Sequence, residues 1–192
     1  VDSSSGMNLA YQGTHALQAV GAFLTGRAPT AVFGQVSGTA GLRDTPKKHF
    51  APDDALACVS YQGGVDALLR CGENAPRVGD RPVHMHKRIS VFGTTGAVNW
   101  TMHSWSTLVD GKTDGGTHEY RDEDVRGQAG LTEAMIDWIR DDAAVHPLNL
   151  DDALADFGVI LGLYGSAIHR TVVPLPVTPE LNLIETLRTA LA

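Results

Sequence analysis

The chain has 192 residues, 43% of them hydrophobic and 19% charged; that balance suits one folded domain with a sizeable core and excludes a disordered or fibrous chain. The formal charge is −7, and the only basic pairs are Lys47-Lys48 and Lys87-Arg88, which excludes a phosphate-backbone partner needing a concentrated positive face. No apolar run approaches the roughly 20 residues of a membrane span, and "VDSSSGMNL" has neither part of a secretion signal, so neither nucleic acid nor membrane is expected as a partner and the location expected is cytoplasmic.

The first residue is Val, not Met, and further sequence is expected upstream. From Met7 to Leu24 the positions Ala10, Leu17, Val20, Gly21 and Leu24 recur at helical spacing, with Ser5 as N-cap and Gly26 as C-terminal stop. At about 100° per residue, His15 falls off this stripe, beside Tyr11 and Gln18, and is directed away from the core.

After Pro29, "TAVFGQVSG" alternates and reads as a strand, and "RDTPKKHFAPDD" reads as a polar, proline-broken loop. Sheet signals then follow closely. "ALACVSYQ" and "VDALLRC" flank Gly63-Gly64 as a hairpin, "RPVHMHKRISVFG" and "AVNWTM" flank "TTG", and "SWSTLVDG" runs into the glycine-rich turn "DGKTDGG". This predicts about five or six antiparallel strands. With Gly63-Gly64 as a two-residue turn, Cys58 faces Leu69 and Cys71 faces Leu56. The sulfurs are then diagonal neighbours too distant for a disulfide, and both read as reduced core thiols of a reducing compartment.

The chain then turns helical. In "GLTEAMIDWIRDD" the residues Leu131, Ala134, Met135 and Trp138 share one face, and Asp122-Glu123-Asp124 upstream supplies a favourable acidic first turn. A second helix starts from Asn149 as N-cap and carries Leu150, Ala153, Leu154, Phe157, Ile160, Leu161, Tyr164 and Ile168 as its buried stripe. "VVPLPVTPE" is extended, and "PELNLIETLRTALA" closes the chain as a short helix. A helix, a run of strands, then helices segregated from them predict an α+β domain spanning residues 1–192: an open, mainly antiparallel sheet with helices on one face. The other sheet face, with Met85, Ile89 and Val91 beside tryptophan, needs cover from a second copy of the chain.

Chemistry is harder to find. No glycine-rich turn joins a strand to a helix, since "VFGTTGAV" links strand to strand and "GTAGLRD" precedes a loop, so there is no phosphate cradle. Ser166 is mid-helix and lacks the strand-turn-helix setting of a nucleophile elbow. His84 and His86 share a strand face and could chelate zinc, but a closed site takes about four ligands and no Cys or carboxylate recurs nearby; no metal is expected. They read with His103 as sheet histidines. Trp100, Trp105 and Tyr120 read as sheet core or interface, or as a stacking surface for a ring-shaped substrate. His146 and His169 read as helix-end residues.

The order of these segments resembles the C-terminal domain of the glucose-fructose oxidoreductase, inositol dehydrogenase and rhizopine-catabolism (Gfo/Idh/MocA) family, a dihydrodipicolinate-reductase-like fold. "YQGTHALQAVGAFLTGRAPTAVFGQVSG" resembles its Gly-x-His helix and first strand, and "DDALACVSYQGGVDALLRCG" the paired strands that follow. "HKRISVFGTTGAVNW" resembles its Gly-Thr-x-Gly hairpin, and the segment from Leu131 to Pro176 its closing helices and terminal extended segment. The resemblance covers nearly the whole chain. It implies that an NAD or NADP cofactor and a lysine belong to a Rossmann domain outside these 192 residues. It further implies that this chain is the substrate-binding and oligomerisation domain of an oxidoreductase acting on a sugar, polyol or related hydroxy compound, pairing through its sheet face. His15 is then the catalytic candidate, with Tyr11, Gln12, His84, His86 and Trp100 lining the substrate site. Where the family has Asp-x-x-x-His, this chain has Tyr11 before His15. That departure motivates an alternative: a Rossmann-less relative acting as a binding or assembly module, or as a lyase or isomerase without nicotinamide.

Overall fold

The computed structural model describes residues 13–37, 54–72, 87–178 and 182–191. It divides into two compact units, one made of Val1–Pro76 with Leu150–Ala192 and the other of Arg77–Asn149.

In the first unit, helix α1 (Thr14–Phe23) precedes strands β1 (Pro29–Ser37), β2 (Asp54–Tyr61) and β3 (Val65–Gly72). After the second unit's residues come helix α3 (Leu150–His169), the two-residue strand β8 (Val173–Pro174) and helix α4 (Leu183–Leu191). The sheet has the order β3-β2-β1-β8, with every pairing antiparallel. The register sets Val32 against Val59 and Gly34 against Ala57, and these residues are buried together with Val36, Ala55 and Tyr61 in one core with Val159, Ile160 and Leu163 of α3. Alternation along the strands leaves Phe33, Leu56 and Leu68 on the opposite face, exposed.

Three expectations change here. The hairpin turn is the three residues 62–64, since Tyr61 pairs with Val65; Gly63 and Gly64 both have positive φ, so the glycines mark the turn without fixing its length. Cys58 therefore pairs with Leu68 and Cys71 with Ala55, which puts the cysteines on opposite faces of the sheet. Neither is in a disulfide, with Cys71 buried and Cys58 half-buried. The expected stripe of α3 is buried only in its later turns: Ile160 and Tyr164 are in the core, whereas Leu150, Leu154 and Phe157 are 71%, 58% and 49% exposed. Periodicity identifies the apolar side of a helix but not how much of its length has a partner.

In the second unit, β4 (Arg88–Gly93), β5 (Gly96–Thr101), β6 (Ser104–Val109) and β7 (Lys112–Thr117) form an antiparallel meander followed by helix α2 (Tyr120–Arg140). The strands thus fall into two four-stranded sheets rather than a single one. "DGKTDGG" is not all turn. Asp110 and Gly111, both at positive φ, make the hairpin, and the residues after them pair with β6. Glycine suits that strand because a Cβ on Gly116 would lie 3.1 Å from the indole nitrogen of Trp105. Helix α2 begins ten residues before the predicted apolar run, with Asp122 and Glu123 in its first turn as expected. It buries no residue, and Met135 and Trp138 of its predicted apolar face are 47% and 50% exposed.

Candidate functional site

His15 lies one residue into α1 and is exposed, while Leu17, two positions on and so about 200° around the helix, is 2% exposed in the core. The helix presents its imidazole away from the buried side, as its spacing predicts. At its far end Leu24 N–H donates to the carbonyls of Val20 and Gly21 at 3.1 and 3.0 Å, closing the last turn before Gly26 at φ 75°. Tyr11, Gln12, His84, His86, Met85 and the Ser5 cap lie outside the described residues.

Trp100 belongs to the second unit, so it and His15 are placed in separate bodies. Its ring is half-buried in an aromatic cluster: His118 stacks on it at 5.9 Å and 26°, and Tyr120 meets it edge-on at 6.5 Å. His118 Nε2 is 3.0 Å from the Thr101 carbonyl and Nδ1 is 3.9 Å from Glu123. The cluster ties β5 to the start of α2, which makes His118 and Tyr120 partners of Trp100 and leaves one indole face committed to His118. His118 was not among the sequence candidates. It lies 18 residues after Trp100 in the sequence, and no periodic pattern links positions in different parts of a meander.

Several titratable groups of the first unit are shifted by burial. The Asp156 carboxyl is pushed up to about 6 by burial and then by Asp152, and the Tyr61 phenol is pushed up to about 12 by burial and then by Asp156. Burial and Asp54 push the Cys71 thiol up to about 12, so it stays protonated and inert as a nucleophile. Tyr164 is pushed up by burial and then Cys71. Its shift brings the Asp156 carboxyl towards neutral pH, the property a general acid or base needs. The sequence hid it inside "DDALADFG", where it reads as one more acidic residue of a helix start.

Ser166 is bonded to the backbone on both sides. It is fully buried, its Oγ accepts the Gly34 N–H at 3.0 Å, and it donates to the Thr171 carbonyl at 2.7 Å. Among the described residues no group of three or more His, Cys, Asp or Glu is placed to hold a metal. Both sheets are antiparallel, and the positive-φ glycines at 63, 64 and 111 sit in strand-to-strand turns. No described helix is long and apolar enough to cross a membrane.

No protein-family model matches the sequence, and no curated protein matches it. Solved structures do match the fold. An NAD-binding oxidoreductase from Klebsiella pneumoniae superposes with a TM-score of 0.68 at 15% identity over 93% of this chain and 54% of its own. An oxidoreductase domain protein from Kribbella flavida gives 0.66 at 14% identity over 88% and 51%. An oxidoreductase from Agrobacterium radiobacter, solved with NAD+, L-tartaric acid and magnesium, gives 0.64 at 16% identity over 86% and 48%. The chain therefore has the α+β fold of the C-terminal part of Gfo/Idh/MocA-type oxidoreductases. It spans about half the length of the solved chains it matches.

Proposed function

We propose that this chain is the substrate-binding and oligomerisation part of an NAD(P)-dependent oxidoreductase that interconverts a hydroxyl and a carbonyl on a sugar, polyol or related hydroxy compound. The observation that carries the reading is the extent of the match: nearly all of this chain corresponds to only half of an NAD-binding oxidoreductase. The nicotinamide then belongs to a dinucleotide-binding segment outside these residues. His15 orients the substrate hydroxyl or exchanges its proton, because an exposed imidazole can do either near neutral pH. The polyol class rests on the family resemblance carried by the order of segments, and Tyr11 at the family's aspartate position is the departure from it.

The test is an NADH fluorescence titration of the 192-residue chain beside a protein that also carries its adjoining dinucleotide segment. The expected result is no saturable binding to the first, and binding with nicotinamide turnover on a panel of sugars and polyols for the second. Tight NADH binding by the 192 residues alone would overturn this division of labour. A longer protein inert toward every hydroxy compound would favour the lyase, isomerase or binding-module alternative.

A further inference from the structure

We infer that His146 is a pH-sensitive clasp that fastens the end of the second unit. The ring is buried, at 6% exposure, and both of its nitrogens are engaged. Nδ1 lies 3.1 Å from the Leu148 N–H, which can only donate, so Nδ1 must be a bare acceptor. Nε2 lies 3.2 Å from the Leu131 carbonyl, which can only accept, so Nε2 must carry the proton. The surroundings thus select one neutral tautomer. A second proton would have to go on Nδ1, where it would meet the Leu148 N–H head-on. Protonation and the Leu148 bond are mutually exclusive.

The ring's other neighbours do not offset that conflict. From α2 it meets the uncharged Leu131 carbonyl and the indole of Trp138, whose centroid is 6.3 Å away. On its own loop the carboxylate of Asp141 is taken by the Ala143 N–H at 2.9 Å, and Asp142 is exposed. Among the described residues no carboxylate or cation pairs with the ring. The backbone is tied at the same point, since the Asn149 amide donates to the His146 carbonyl at 3.2 Å. Leu131 is on the helix and Leu148 is in the loop, so the ring joins α2 to the segment through which the chain passes into α3. A proton on Nδ1 therefore releases the Leu148 N–H from the ring, while the Nε2–H bond to the Leu131 carbonyl of α2 stays in place.

The experiment is NMR on the isotopically labelled chain, reading the imidazole tautomer and the hydrogen-exchange protection factor of the Leu148 amide from pH 8 to pH 5. The expected ring at pH 8 carries its proton on Nε2, and protection of Leu148 falls roughly tenfold on acidification, the factor that one lost hydrogen bond carries. His146→Asn keeps a short side-chain acceptor for the Leu148 N–H but cannot titrate, so its protection profile should be flat. His146→Ala should lack the protection at every pH, and if it does not fold, the wild-type and His146→Asn profiles still decide. A proton on Nδ1 at pH 8, constant wild-type protection, or an His146→Asn profile as steep as the parent's would each overturn the clasp.

Discussion

The hydroxyl of Ser166, in the last turn of α3, takes the N–H of Gly34, in the middle of a strand, at 3.0 Å. β8 pairs with Ala31 and Val32, and Leu175 N–H reaches the Thr30 carbonyl at 2.9 Å; beyond that pairing the Gly34 N–H is satisfied from the helix instead. Ser166→Ala strands a buried N–H and the Thr171 carbonyl, and should cost about 1–3 kcal/mol in chemical denaturation. Because the hydroxyl is committed to the backbone, the same variant should leave any turnover of the longer protein unchanged at temperatures where it stays folded.

Gly162 tests the same packing from the helix side. A Cβ there would lie 2.7 Å from Val32 Cγ1 and 3.0 Å from Leu175 Cδ2. Val32 is fully buried, so it cannot swing into solvent and the helix must shift off the strand. Gly162→Ala should lose about 1–3 kcal/mol despite the better helix propensity of alanine, whereas Gly158→Ala, with open space around it, should be neutral or stabilising. Thermal melts of the two variants make the comparison.

These contacts mark how far the sequence could be read. The spacing of Leu17 against His15 settled which way the imidazole points, because a helix wheel needs only local geometry. The glycine pair at 63–64 located the hairpin but gave the wrong register, and one residue of slip was enough to move Cys58 to the other face. The shifted Asp156 and the stacked His118 were not legible at all. The first depends mainly on burial, and the second on Trp100, both supplied only by the fold.

Asp156 makes stability depend on pH in the direction opposite to a salt-bridged carboxylate. Its carboxyl rises from 3.8 to about 6 on folding, so the native state holds the proton more tightly than the unfolded chain does. Stability is therefore greatest below the lower value, falls as pH rises between the two, and stays reduced at neutral pH. The carboxyl is half-buried, and screening leaves about 1 kcal/mol of that difference. Asp156→Asn should stabilise the chain by about that amount at pH 7 and flatten the slope between pH 4 and 6. Urea denaturation at three pH values suffices; a wild-type stability that rises over that interval would refute the assignment.

His15 separates function from stability. Its side chain is exposed and off the core stripe, so His15→Ala should move the melting temperature little. If it handles the substrate hydroxyl, turnover in the protein carrying its dinucleotide segment should fall roughly 10²-fold. An unchanged rate with a large loss of melting temperature would make it a structural residue.

Self-association should run through one face of the second unit's sheet. The register places Ile89, Trp100 and Trp105 in one row and Val91 with Val98 in the next, with Val109 at the end of the same face. None of these six apolar side chains is buried, and Trp105 and Val109 are 37% and 42% exposed. A contiguous apolar face of that kind is what a second copy covers, and a two-fold pairing uses one self-complementary patch for both subunits. Light scattering after size exclusion at micromolar concentration should give a multiple of 20.4 kDa. Val109→Glu puts an unpaired charge at a position where the isolated fold tolerates it, so it should shift the distribution towards monomer while leaving the melting curve intact. Phe92→Ser, on the opposite face and 80% exposed, is the control and should leave the mass unchanged. A monomeric parent, or an assembly broken by Phe92→Ser and not by Val109→Glu, would move the interface off this face.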